Sequence, residues 1–166
     1  ITPLQLICAV CSIANGGDYM QPYIISQITD SDGNVVLSNS PKVVRKTVSE
    51  ENAKLICSYL EDAVTEHITR AYIEGYHVAG KTGTSQKLDS KNEDGEIDKQ
   101  IASFIGFAPA DDPQICVLVV VDEPNSEVQY GSLIAAPLAK SILQDCLELI
   151  GLEPDVEGSV DYAEVP

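Results

Sequence analysis

The chain has 166 residues, 44% hydrophobic and 22% charged, which is enough apolar material for a core and too much for disorder along the whole length. Ten Lys and Arg against 26 Asp and Glu leave a net charge of −16, a field that repels phosphate backbones and excludes nucleic acid as a natural partner. No apolar run approaches the roughly 20 residues of a membrane span, nothing resembles a signal peptide, and 5% aromatics without Trp argue against stacking platforms for sugars or bases.

The first predicted element is a helix. Thr2 is its N-cap, Pro3 its first helical residue, and Gln5 closes a capping box, with Ile1 and Leu6 spaced to staple the outside. Leu4, Ile7, Cys8 and Cys11 form its apolar stripe, and Asn15-Gly16-Gly17 stops it. A chain that opens inside a helix cap reads as a cut. Two extended runs, Tyr23–Ile28 and Val35–Leu37, flank Asp30-Ser31-Asp32-Gly33-Asn34 as a hairpin. Ser49 caps a second helix, with Glu50 and Glu51 at its positive end and Ala53, Ile56, Cys57, Leu60 and Val64 along one face.

Tyr76–Lys87 reads as a strand and residues 88–99 as a charged surface loop. Ala102–Phe107 and Ile115–Val121 read as two further strands, joined by the turn cluster Pro109–Pro113. The near-continuous apolar run Ile115–Val121 predicts a central strand covered on both faces. A last helix, Leu133–Ile150, carries the stripe Ile134, Leu138, Ile142, Cys146, Leu147 and Ile150, and Gly151 ends it. The order predicts an α+β fold, an antiparallel sheet packed with helices. No basic residue follows Lys140, so residues 153–166 read as an acidic linker or tail after a folded part at 1–152. Cys8 and Cys11, three apart on a helix, have no second pair or His nearby; the five Cys are expected as core thiols, not metal ligands.

Lys81-Thr82-Gly83-Thr84 is the short stretch with a mechanism attached. K-T-G is a signature of class A β-lactamases and penicillin-binding proteins, expected on an edge strand beside a catalytic serine. The runs ITPLQL, IANGG, PYII, GYHVAGKTGTSQK, SFIGFAPADDPQ and VLVVVDEP, in that order over residues 1 to about 154, together resemble a class B penicillin-binding protein.

That resemblance implies the transpeptidase fold shared with serine β-lactamases. It implies a membrane-anchored D,D-transpeptidase acting on the extracytoplasmic face of a bacterial membrane, cross-linking peptidoglycan by serine acyl transfer without metal or cofactor. The stem peptide ending in D-Ala-D-Ala is then the substrate, and β-lactams acylate the same serine. Lys81 and Thr84 are the implied catalytic residues. Lys81, Thr82, Gly83 and Thr84 are the implied binding residues: an ammonium for anionic substrate, two hydroxyls for a carboxylate, and a Gly that lets substrate backbone lie against the strand. The resemblance gives the Thr84 N–H one half of the oxyanion hole. Taken alone, Lys81 reads as an edge-strand lysine that deters aggregation.

The chain also departs from the family. The fold needs SxxK, then SxN, then KTG, yet no Ser here has Lys three positions later, and Ser90-Lys91-Asn92 fits SxN only after KTGT. The chain therefore resembles the C-terminal half of a transpeptidase domain, expected to be inactive alone and to need the N-terminal half. Uncovered sheet edges and helix faces imply self-association of the piece. Two other readings stand beside the enzyme: a non-catalytic peptidoglycan or β-lactam binding module, and a β-lactam sensor.

The remaining candidates are weaker. His77 reads as a surface residue on the KTGT strand, and His67 and Arg70 as residues of a loop that could border the cleft. Ser90–Ile101 has Asn92, Asp94 and Gly95 at EF-hand-like offsets but lacks the first Asp and the twelfth Glu, so it reads as a solvated loop. Tyr130-Gly131 reads as a contributor to the cleft rim.

Overall fold

The computed structural model describes residues 1–91, 95, 97–126 and 128–155. The chain divides into two compact units, Ile1–Ile56 and Cys57 onward.

The first unit opens with helix α1 (Pro3–Ala14), followed by strands β1 (Asp18–Met20), β2 (Gln27–Thr29), β3 (Val35–Ser38) and β4 (Val43–Lys46). The capping box forms as its residues require: the Gln5 N–H donates to Thr2 Oγ1 at 3.2 Å and the Thr2 N–H to Gln5 Oε1 at 2.9 Å. The staple does not form. Ile1 is 97% exposed. The apolar stripe is only half covered, Leu4 is exposed, and the buried residue of the helix is Ser12.

The β2–β3 hairpin closes through Asp30, whose Oδ1 accepts the N–H groups of Asp32 (2.9 Å) and Asn34 (2.8 Å), while Gly33 adopts φ +85°. The β1–β4 pair is absent from the sequence reading. It joins short, charge-bearing strands far apart in the chain, with Lys46 paired to Asp18 at 3.1 Å and Arg45 stacked 5.2 Å over the Tyr19 ring. Gly17 makes the turn into β1. A Cβ there would stand 2.1 Å from Val48 O, and its carbonyl accepts the Thr47 N–H at 2.7 Å.

Helix α2 (Glu50–Glu66) begins in the first unit and runs into the second. Ser49 Oγ accepts the Asn52 N–H at 3.3 Å, and the predicted stripe lies inward, with Ala53, Cys57 and Val64 buried. The second unit continues with a 3₁₀ turn (Thr69–Ala71), strands β5 (Ala79–Gln86), β6 (Gln100–Ala108) and β7 (Ile115–Asp122), and helix α3 (Gly131–Leu149). The strands form an antiparallel sheet in the order β5-β6-β7 with unbroken register, so Lys81, Ile105 and Leu118 stand abreast, as do Thr82, Phe104 and Val119. Helix α3 covers one face. The core there joins Phe104 to Ala135, Ala136, Ala139, Leu143 and Leu147, with Val64, Ile68, Ala71, Ile73 and Val78. This is the predicted α+β architecture of an antiparallel sheet packed with helices.

Two expectations fail within it. Among the described residues the central strand is β6, and the apolar run Ile115–Val121 lies on the edge strand β7, where no residue is fully buried. Continuous hydrophobicity reports two half-covered faces as readily as two buried ones. Helix α3 also turns a partly different face inward: Ala135, Ala136, Ala139 and Leu143 are buried with Leu147, the one member of the expected stripe that is, while Leu138, Ile142 and Ile150 are about half exposed. The buried stripe is offset by one residue, roughly 100°. Small side chains let the helix approach the sheet closely, and a stripe chosen by side-chain size overlooks alanines. The Gly151 stop holds, with φ +75° and Leu152 N–H to Leu147 O at 3.1 Å.

The thiols divide. Cys57 is buried and burial pushes its pKa up, whereas Cys8, Cys11, Cys116 and Cys146 are half-buried at the margins, and none of the five is in a disulfide. Of the predicted tail, Glu153–Asp155 are described and fold back: the Asp155 N–H donates to Gly75 O at 2.8 Å and Tyr76 Oη donates to Leu152 O at 3.1 Å. Residues 156–166 of the predicted tail lie outside the described residues.

Candidate functional site

KTGT lies in the middle of β5, an edge strand of the sheet among the described residues. An edge strand pairs on one side only, so every second residue directs its N–H and C=O away from the sheet. The strand starts where glycines permit it. Gly80 and Gly106 are paired, and the Phe104 ring lies so close to both that a Cβ at Gly80 would stand 2.4 Å from Cζ. The aromatic ring fills the space that two side chains would take, and anchors β5 to the core.

Along KTGT the side chains alternate. Thr82 and Thr84 are in register with Phe104 and Ala102 on the face toward α3, while Lys81 and Gly83 stand opposite Ile105 and Ser103 on the other face. A cation and two hydroxyls on opposite faces of one strand converge only at its open edge. Lys81 is exposed, and its ammonium donates to Thr82 O at 3.1 Å, held against the strand backbone. Thr82 and Gly83 are half-buried and Thr84 is exposed. Ser103 Oγ donates to Gly83 O at 3.4 Å, and the Gly131 N–H donates to Thr84 Oγ1 at 3.2 Å.

Ion pairs hold both ends of β5. Beyond its C-terminal end, Lys87 Nζ donates to Asp122 Oδ1 (3.1 Å) and to Glu123 Oε1 (2.6 Å), and Lys99 Nζ to Glu123 Oε2 (2.9 Å). The hydrogen bonds from Lys87 and Lys99 pull the Glu123 carboxyl down to about 2. Before its N-terminal end, His77 Nδ1 donates to Glu61 Oε1 at 2.7 Å, with Asp155 3.8 Å from Nε2. The Glu61 hydrogen bond, above all, raises the His77 pKa.

His77 is therefore not on the strand, as its spacing suggested. Its φ of +44° makes it a turn residue, and β5 begins at Ala79. It is half exposed, in keeping with a surface position. His67 stands 3.7 Å from Glu66 Oε2 at the end of α2 and Arg70 lies in the 3₁₀ turn; among the described residues neither bonds to KTGT. Ser90 Oγ donates to Lys87 O at 2.9 Å and Ile101 is part of β6, whereas Asn92 and Asp94, and with Asn92 the formal SxN, lie outside the described residues. Among the described residues no three His, Cys, Asp or Glu side chains gather to hold a metal ion, and no helix is long and apolar enough to cross a membrane.

Ser103 and the Lys87–Asp122–Glu123–Lys99 network were missed by sequence reasoning. Ser103 is an unremarked polar residue in an apolar strand, and that break in pattern was the available signal. The paired charges lie 24 to 36 residues apart and carried none.

The comparisons agree in direction. The family profile of the penicillin binding protein transpeptidase domain matches residues 1–144. The chain is 42% identical over 158 residues to Stage V sporulation protein D of Bacillus subtilis, covering 93% of this chain and 24% of that protein. It is 34% identical over 157 residues to the peptidoglycan D,D-transpeptidase FtsI of Buchnera aphidicola, covering 93% and 26%. Among solved structures, the ceftriaxone acyl-enzyme complex of penicillin-binding protein A from Mycobacterium tuberculosis superposes with a TM-score of 0.78 at 27% identity, covering 89% of this chain and 32% of that one. The chain thus spans about a quarter of the length of these curated relatives.

Proposed function

The chain belongs to the penicillin-binding protein transpeptidase family, and from that premise we propose that it supplies the substrate-binding strand of a D,D-transpeptidase that cross-links peptidoglycan by serine acyl transfer. The observation that carries the reading is the placing of Lys81-Thr82-Gly83-Thr84 on the open edge of the sheet. An extended acyl-D-Ala-D-Ala stem adds to that edge as a further strand, which Gly83 permits by having no side chain in the way. Lys81 brings a positive charge to the site and favours the anionic end of the substrate. Thr82 and Thr84 offer hydroxyls to the terminal carboxylate, and the Thr84 N–H supports the carbonyl oxygen as it gains charge. Lys81 and Thr84 are the catalytic residues in this reading, and Thr82 and Gly83 bind.

The sequence holds no SxxK, and no SxN ahead of KTGT, so in this reading the nucleophile and its base lie outside these 166 residues, which are inactive alone. In this reading residues 1–152 form part of the transpeptidase domain and 153–166 lead out of it. The catalytic assembly works at the extracytoplasmic face of the bacterial membrane. β-Lactams occupy the same edge, a reading supported by the acyl-enzyme that the mycobacterial relative forms with ceftriaxone.

Intact mass after incubation with a labelled penicillin tests this. The chain alone stays unmodified. Supplied with the serine-bearing region of a relative, the mixture gains a covalent adduct that is lost with Lys81→Ala. An adduct on this chain by itself overturns its inactivity, and an adduct indifferent to Lys81→Ala overturns the role of KTGT.

A further inference from the structure

We infer that Gly131, the first residue of α3, is a positioning residue that orients the Thr84 hydroxyl as a hydrogen-bond donor toward the carboxylate of the bound ligand; this rests on the KTGT reading above.

The first N–H groups of a helix have no partner within it. In α3 the N-cap residue, Tyr130, supplies no side-chain hydrogen bond. The Gly131 N–H instead donates across to β5, to Thr84 Oγ1 at 3.2 Å. The hydroxyl of KTGT thus does the work of a helix cap from another element.

Glycine makes the approach possible. A Cβ at position 131 would stand 2.4 Å from Ser103 O and 2.6 Å from Gly83 O, both backbone atoms of the sheet that cannot swing aside. Gly131 is itself buried, so its N–H has no solvent to turn to. Only without a side chain can the helix end come close enough to use Thr84.

The consequence lies in proton accounting. A threonine hydroxyl has one proton and two acceptor sites. The Gly131 N–H occupies an acceptor site, and Thr84 is β-branched, with little freedom about its first side-chain bond. The hydroxyl proton is left to the exposed side, where the ligand lies. Thr84 therefore meets the ligand as a donor, suited to an anionic carboxylate and poorly suited to another donor. The positive end of α3 stands behind it and favours the same charge.

The test uses two measurements. In this chain, amide hydrogen exchange at Gly131 reads the contact directly: Thr84→Val, which keeps the shape and removes the acceptor, accelerates exchange about tenfold, and Thr84→Ser recovers most of the protection. Unchanged protection in Thr84→Val overturns the inference whatever KTGT binds.

The second measurement is acylation by penicillin, in a chimera where residues 1–155 replace the matching segment of the Bacillus subtilis relative. Thr84→Val slows acylation by the free acid about tenfold or more, the loss expected for one hydrogen bond to a charged group, and slows the penicillin methyl ester far less. Thr84→Ser restores the preference for the acid. An equal loss on acid and ester overturns the inference. Gly131→Ala is the direct variant and is expected to lose the same preference; because it can also disturb packing, the ratio of acid to ester in the Thr84 pair decides. Lys81→Ala separates the two readings: if it leaves acylation unchanged, the KTGT reading has failed, and if it abolishes acylation while Thr84→Val treats acid and ester alike, only the role of Gly131 has.

Discussion

In the β2–β3 hairpin of the first unit, Ile28, Val35, Val36 and Leu37 are all exposed, and Ile24 just before it is fully so. In the sheet of the second unit Phe104 and Phe107 are wholly buried, with Leu143 and Leu147 of α3. Both regions are antiparallel strands of good β-formers, so strand propensity does not separate them. What separates them is closure. The hairpin is held by local polar contacts, chiefly Asp30 with the backbone behind it, whereas the β5–β6–β7 sheet has a helix lying on one face. The KTGT strand belongs to the region with the core, which is what a binding edge requires: a strand whose position is fixed from behind can leave its other side open.

The comparison is broken most directly by removing the core. Phe104→Ala is expected to cost the second unit about 3–5 kcal/mol in denaturant unfolding, since it empties the space over Gly80 and Gly106 as well as the contacts with α3. Amides of β1 and β4 report whether the first unit keeps its own protection. A loss below about 1 kcal/mol contradicts the account of how β5 is anchored.

Helix α3 offers a sharper cut, because its two faces differ. Leu143→Ala is expected to cost about 2–5 kcal/mol and Leu138→Ala within about 1 kcal/mol of nothing. Equal costs in thermal or denaturant melts would restore the stripe expected from side-chain size.

In the first unit the expected losses are smaller. Asp30→Ala removes the turn contacts to Asp32 and Asn34 and is expected to cost about 1 kcal/mol, read as faster amide exchange confined to β2 and β3. Exchange spreading through β5–β7 would show that the hairpin is not locally held.

The smallest effects are electrostatic and act on the ends of β5. The His77 pKa is raised in the folded chain, so its contribution is fully present below the ordinary value of 6.5 and fades as pH rises through the higher folded value. Asp111 and Asp155 face it alongside Glu61, and all three favour the charged ring. Glu123 has the opposite sign: its contribution is present above the ordinary 4.5 and lost as pH falls through about 2. A melting temperature that falls slightly from about pH 6 to about pH 9, and flattens in His77→Asn, is expected; Asn tolerates the positive φ at that position. An unchanged pH slope in the variant would remove His77 from the account.

Much of this was legible from residue types in short windows. The Thr2 capping box, the Ser49 cap, the Asp30–Asn34 turn, the inward stripe of α2 and the Gly151 stop are local, and each formed as its residues dictate. So did the strand nature of KTGT, because its flanking residues carry a pattern that a few positions suffice to specify. The β1–β4 pair and the Lys87–Glu123 network were illegible, since each joins residues distant in the chain with no periodicity to betray them. His77 was misplaced by two residues, because a positive φ is written nowhere in a spacing.

By itself, then, the sequence determined where helices and turns begin and end, for these follow from hydrogen-bond needs and conformational limits within a few residues, and its resemblance to the family singled out the four residues proposed to carry the chemistry. Tertiary structure alone decided that β6 and not β7 is central among the described residues, that α3 buries its alanines, and that Gly131 reaches Thr84. Those outcomes depend on how closely two surfaces approach, and closeness is set by the absence of side chains at Gly80, Gly106 and Gly131, whose effect appears only once the partner backbone is in place.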